Sequence, residues 1–263
     1  MNKICVITGG SSGIGRSTAH CMCERGYKVY ELSRHGKTNG DIIHIDTDVT
    51  DENAVKCAIE HILSKDGKID VLINNAGFGI SGAVEFTTVE DAKRQFDVNF
   101  FGTFIMCKNV VPVMKKQHFG RIINIGSVAG IIPIPFQSFY SASKAAIRSF
   151  SLSLYNEVKD FGISIICIEP GDIKTGFTSS RVKTVIGDEE YGGKVSRSVS
   201  KMEHDEQHGM EADIVGKYIA NVAAKKSKKP IKSIGFSYKL ICILAKILPS
   251  RLMVKIIGKM YAK

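Results

Sequence analysis

No stretch of this 263-residue chain is both long and apolar enough to span a bilayer, which takes roughly 20 residues. The apolar run after Lys3 lasts only from Ile4 to Ile7 before Gly9 and Gly10, too short for the core of a signal peptide. Cysteines are few and unpaired in spacing: seven, an odd number, with Cys21 and Cys23 too close together for a usual metal pair. Reduced thiols, a cytoplasmic setting and no metal are therefore expected. There is no internal repeat and no low-complexity linker, so residues 1–263 are read as one domain. Acidic residues are missing from the whole segment Lys225 to Lys263, which holds eleven of the 36 Lys and Arg. The remaining 224 residues carry 25 basic and 26 acidic side chains, so the net charge of +10 belongs to the tail. That placement argues against a nucleic-acid groove on the main body.

What is present is an alternation. Apolar runs bounded by turn residues recur at Ile4 to Thr8, Lys28 to Ser33, Ile42 to Ile45, Val71 to Asn74, Arg121 to Ile125 and Ile163 to Glu169. Each reads as a strand buried on both faces. Between them, Gly15 to Arg25, Glu52 to Ser64, Val89 to Lys116 and Ser141 to Lys159 have helical periodicity. This order predicts an α/β fold, a doubly wound parallel sheet with helices on both faces and right-handed crossovers. After Thr175 the chain turns polar, and residues 176–209 are read as a substrate lid or insert, with a plain surface excursion as the alternative.

The first strand runs into Thr8-Gly9-Gly10-Ser11-Ser12-Gly13-Ile14-Gly15, followed by a helix. Glycines let backbone approach a phosphate, and a helix N-terminus offers free N–H groups to the anion, so this turn predicts a dinucleotide site. At the end of the second strand a carboxylate would hold ribose hydroxyls and a cation a 2′-phosphate. Ser33 and Arg34 stand there, and Glu31 is expected within the strand rather than at its tip, which favours NADP(H). Asp48-Val49 and Asn74-Asn75-Ala76-Gly77 follow the next two strands, at the carboxyl ends where open α/β sheets bind ligands.

Tyr140 and Lys144 are four residues apart, on one face of a predicted helix. An ammonium about 4 Å from a phenol is worth roughly 4 kcal/mol at an effective dielectric near 20. Lys144 is therefore expected to hold Tyr140 well below the usual phenol range, near the pH at which an acid–base catalyst works.

In chain order these residues are Thr8-Gly9-x-x-x-Gly13-x-Gly15, Asn74-Asn75-Ala76-Gly77, Asn99, Ser127, Tyr140-x-x-x-Lys144 and Pro170-Gly171. The set resembles the short-chain dehydrogenase/reductase family from about Lys3 to Thr175. The resemblance implies a Rossmann fold and hydride exchange between NADP(H) and a secondary alcohol or ketone. It also implies that Ser127 binds the substrate oxygen, Tyr140 exchanges its proton, and Lys144 also holds the nicotinamide ribose. Asn99 would support a water relay, and Ile173 and Thr175 would hold the carboxamide. A homodimer or homotetramer is implied as well, packed through Val89 to Lys116 and Ser141 to Lys159.

Val98 to Thr103, Val110 to Lys115 and Phe161-Gly162-Ile163 through Pro170-Gly171 are most similar to the 17β-hydroxysteroid and retinol dehydrogenase branch. A large lipophilic substrate, a steroid or bile acid, is the resulting expectation, and Ile131, Ile132, Pro133, Ile134, Phe136 and Phe139 are expected to line its pocket. Reduction of 3-oxoacyl thioesters or acyl-dihydroxyacetone phosphate is the enzymatic alternative, and NADP(H) sensing without turnover the non-enzymatic one. In the tail, Ser250 is expected to cap a helix with Leu252, Met253, Ile256, Ile257 and Met260 on one stripe and Arg251, Lys255 and Lys259 on another. It would lie on an anionic membrane, cover the pocket mouth, or dock on its own body or a second subunit.

Overall fold

A computed structural model describes residues 3–225 and 229–262. Lys226, Lys228 and Lys263 of the basic tail fall outside the described residues. The main chain alternates β1 (Lys3–Thr8), α1 (Gly13–Cys23), β2 (Tyr27–Ser33), β3 (Ile42–Asp46), α2 (Glu52–Asp66), β4 (Val71–Asn74), α3 (Val89–Phe96), α4 (Gly102–Gln117), β5 (Gly120–Ile125), α5 (Ser138–Val158) and β6 (Ile163–Glu169). Then follow α6 (Lys194–Gln207), α7 (Ala212–Ala224), β7 (Ile231–Ser233), α8 (Phe236–Ile247) and α9 (Ser250–Tyr261).

The seven strands form one parallel sheet in the order β7-β6-β5-β4-β1-β2-β3. Alternate residues of each strand feed two separate cores. Ile4 and Val6 pack with Tyr30, Leu32, Leu72 and Ile122 under α2, α4 and α5, whereas Cys5 and Ile7 pack with Val29, Ile73, Ile123 and Ile166 under α1 and α7. Because both strand faces are covered, the strands read as continuous apolar runs. The order reverses between β1 and β4, and the carboxyl ends on either side of that switch hold the glycine turn and Asn74 to Gly77.

The segment Val89 to Gln117 is helical throughout, as its periodicity predicts, but it is not a uniform α-helix. A π turn at Asp97–Phe101 separates α3 from α4 and carries Asn99. Such turns concentrate at functional sites because the extra residue re-aims a side chain. The final helix also differs from expectation. The Pro249 carbonyl accepts from the N–H groups of Leu252 and Met253, and Ser250 already lies within the first turn. The extended backbone of Pro249, with ψ 138°, puts the helix boundary one residue earlier than a Ser cap would.

Candidate active site

The glycine turn is shaped for close approach. Gly9 and Gly13 have φ of 63° and 50°, in the left-handed region that favours glycine. A Cβ on Gly15 would stand 2.1 Å from the Gly9 carbonyl oxygen and 2.5 Å from Asn75 Nδ2. Thr8 Oγ1 accepts from the N–H groups of Asn75 and Ala76, both at 3.0 Å, and Asn75 Nδ2 donates to the carbonyls of Thr8 (3.1 Å) and Gly9 (3.0 Å). These bonds lock the β1 and β4 tips together. The first turn of α1 has no acidic residue to compete for its free N–H groups. Gly9, Ser11, Ser12, Gly13 and Ile14 line the cavity beside it, so the cradle fits a dinucleotide phosphate.

At the tip of β2, Gly9 N–H donates to the Leu32 carbonyl, which brings Ser33 and Arg34 alongside the glycine turn. Glu31 points inward and is 2% exposed, paired with His44 Nδ1 at 2.6 Å. Arg34 is exposed. Asp48 accepts from both Thr50 N and Thr50 Oγ1, and Val49 is buried against Gly102. Thr8, Gly15, Ser33, Arg34, Asp48 and Val49 do not line the main cavity; Thr8 and Gly15 stand behind Gly9, Asn75 and Ala76, which do.

That cavity, about 630 Å³, runs from the glycine turn past Asn75, Ala76 and Gly77 to Ser127, Tyr140 and Lys144, then along Pro170, Gly171, Ile173 and Thr175. Ser127 follows β5 and its Oγ accepts from Ala129 N at 3.1 Å. Tyr140 and Lys144 lie on α5, with Lys144 Nζ 5.7 Å from the Tyr140 ring centroid. Lys144 is 5% exposed and donates to the Ile125 carbonyl at 2.9 Å. Asn99 is fully buried and does not reach the cavity. Its Oδ1 accepts from Phe78 N, and its Nδ2 donates to the Phe78 carbonyl and Ser143 Oγ.

The electrostatics reverse one expectation. Desolvation pushes the Tyr140 phenol up to about 12; a hydrogen bond with Ser127 opposes it, Glu206 and Asp172 raise it further, and Arg181 lowers it. Burial likewise lowers Lys144 to about 8. The ammonium is turned to the Ile125 carbonyl, and the phenol is governed by its own desolvation rather than by Lys144. Tyr140 is therefore a protonated donor at neutral pH.

The pocket walls also depart from expectation. Of the six apolar residues expected near Ser127 and Tyr140, Ile132 and Ile134 line the cavity. Ile131, Pro133, Phe136 and Phe139 do not; Phe136, at φ 60°, packs edge-on to Tyr191 with ring centroids 5.5 Å apart. Phe177, Met202, Tyr238, Ile241, Leu244 and Ile257 supply much of the remaining apolar wall, from the 176–209 segment and the tail. Two carboxylates, Asp172 and Glu206, line it as well. Asp172 accepts from Tyr238 Oη at 2.7 Å, and Glu206 is bound by Thr178 Oγ1 at 2.6 Å and by Arg181. Nothing in the sequence marks either residue for this wall: Asp172 follows the Pro170-Gly171 pair, Glu206 sits in a polar stretch, and the two meet only once α6 and the tail are folded over the cavity.

The short chain dehydrogenase family model matches residues 3–185. The chain is 42% identical over 228 residues to 3-ketodihydrosphingosine reductase of Bacteroides thetaiotaomicron, covering 86% of this chain and 85% of that protein. It is 35% identical over 186 residues to 3-oxoacyl-[acyl-carrier-protein] reductase of Bos taurus, covering 68% and 78%. The solved structure of ElxO with NADP bound superposes with a TM-score of 0.75 at 28% identity, covering 91% of this chain and all of that one. The chain belongs to the short-chain dehydrogenase family and is a nicotinamide-dependent oxidoreductase, with a cofactor end that suits NADP(H).

Proposed function

We propose that the enzyme uses NADPH to reduce the ketone of a long-chain amino ketone, 3-ketodihydrosphingosine or a close chemical relative. The observation that carries this reading is the pair of carboxylates, Asp172 and Glu206, in a largely apolar cavity that also holds Tyr140. Such a substrate has an ammonium beside its ketone and a long alkyl chain. The carboxylates complement the first, and the apolar wall of Met202, Ile241, Leu244 and Ile257 the second. The 42% identity to a protein named for this substrate supports the same choice. A hydroxysteroid would satisfy the apolar wall but bring no cation to the carboxylates, which in its absence are held by Tyr238, Thr178 and Arg181 alone, and an anionic acyl thioester would meet like charge at Asp172.

NADPH held beside the glycine turn would supply the hydride for the carbonyl carbon. Tyr140 gives its phenolic proton to the carbonyl oxygen, Ser127 Oγ donates a hydrogen bond to that oxygen, and Lys144 stabilises the tyrosinate left behind until it takes a proton back from solvent. Asn99 acts through Phe78 and Ser143 as a positioning residue. Arg34 binds the 2′-phosphate, and Asp48 and Val49 border the base. Residues 176–209 serve as the substrate lid, and the segments Val89 to Lys116 and Ser141 to Lys159 pair subunits into a homodimer or homotetramer; Phe101 and Phe104 stand exposed on the first.

Three measurements test this. Arg34→Asp should raise the NADP(H) Michaelis constant by about tenfold to a hundredfold, the worth of a charged hydrogen bond, without raising that for NAD(H). An unchanged ratio would remove Arg34 from the site. Steady-state NADPH oxidation should show a kcat/KM for 3-ketodihydrosphingosine well above that for a 3-oxoacyl thioester or a ketosteroid. Asp172→Asn should raise KM for the amino ketone about tenfold or more but leave its uncharged N-acetyl analogue unaffected. Equal effects on both compounds would refute recognition of the ammonium.

A further inference from the structure

The two C-terminal helices turn one face to the cavity and leave another uncovered. Of the 19 large hydrophobic side chains exposed among the described residues, ten lie between Phe236 and Met260. On α8, Phe236, Leu240, Ile243 and Ile247 recur at the spacing of a single helical stripe, with Phe236 84% and Ile247 73% exposed. None of these four lines the cavity; the neighbouring stripe of Tyr238, Ile241, Leu244 and Leu248 does. A concentration of exposed apolar area of this kind marks an interaction surface.

We propose that α8 and α9 seat the enzyme on an anionic bilayer surface and open the cavity to lipid held there. Charge selects this occupant. Lys239, Lys246, Arg251, Lys255 and Lys259 are all exposed on the two helices, and no Asp or Glu occurs from residue 225 onward. Exposed apolar side chains bordered by cations are what an interfacial helix presents to acidic headgroups. A second copy meeting this face would bring two cationic rows together with no acid to neutralise either. Insertion across the membrane is excluded for these elements: no helix among the described residues is long and apolar enough, and each of the two has 12 residues, about 18 Å of helix. Ile241, Leu244, Ile256 and Met260 line the cavity from these same helices, so an apolar chain leaving the bilayer meets an apolar wall on its way to Tyr140.

The test uses the full chain and needs no substrate, so it stands apart from the amino-ketone reading. The protein is sedimented with vesicles of phosphatidylcholine alone, or of equal parts phosphatidylcholine and phosphatidylglycerol. It should pellet with the second and remain in solution with the first, and high salt should release it. Ile243→Glu with Ile247→Glu should weaken vesicle binding about tenfold or more, and Lys239→Glu with Lys246→Glu should do likewise, while NADPH binding followed by fluorescence is unchanged. A wild-type protein that stays in solution with both vesicles overturns the proposal, as do apolar-face variants that bind as well as wild type. Light scattering that finds the wild type associated and the Glu variants dissociated, without vesicle binding, assigns the face to a second copy instead.

Discussion

Tyr140→Phe is expected to lower ketone reduction by about 10²- to 10⁴-fold, the range a positioned proton donor contributes, with NADPH affinity near that of the wild type. The change removes one oxygen at the cavity wall and leaves the ring packed on Phe177 with its centroid 5.7 Å away. Single-turnover kinetics with saturating NADPH, together with a fluorescence titration of the cofactor, separate the two effects. Turnover retained within about tenfold would assign the proton to another group. The same chemistry sets the pH dependence. Tyr140 is pushed up to about 12, so reduction should not lose its donor anywhere near neutral pH, whereas alcohol oxidation needs the phenolate and should climb with pH through the alkaline range.

Lys144→Met is expected to separate activity from stability. Turnover should fall about a hundredfold or more, because the tyrosinate loses its stabilising charge. Stability should move the other way at pH 7. Burial lowers the ammonium to about 8 from its ordinary 10.5. Below about pH 8 both folded and unfolded chains keep this charge, and the full cost of burying it is present. Between about 8 and 10.5 the unfolded chain binds the proton and the folded one does not, so stability rises with pH across that window. The shift corresponds to about 3 kcal/mol, less about 1 kcal/mol for the lost bond to the Ile125 carbonyl, leaving the variant about 2 kcal/mol more stable at pH 7. Urea titrations at pH 7 and pH 10 measure this. A variant less stable at pH 7, or one whose stability follows pH in parallel with the wild type, would show that Lys144 is not buried as a charge.

Both predictions depend on a correction that only the folded chain could supply. The i, i+4 spacing of Tyr140 and Lys144 is legible in the sequence and places them on one face of α5. Where the ammonium points is not legible, because that depends on the Ile125 carbonyl at the end of a strand 19 positions earlier. Desolvation depends on everything packed around the pair, including Phe177 and the tail. Asn99 shows the same division: the residue is recognisable by type, but its burial in a π turn against Phe78 and Ser143 is a property of three segments together.

The membrane-length run, the paired cysteines and the acidic tail residues that this chain lacks bounded its class from the outset. Its doubly covered parallel sheet and glycine turn were likewise readable from local pattern, because strand burial and helix periodicity are imprinted every two or every 3.6 residues. The substrate wall was not. Asp172 lies after β6, Glu206 on α6 and Tyr238 on α8, and no periodicity relates positions so far apart. They converge because Tyr238 packs against Gly171, where a Cβ would come within 2.3 Å of its ring, and because its hydroxyl bonds Asp172. Local propensity determines elements; specificity here comes from long-range packing, which places charge in an apolar cavity only when the tail closes over it.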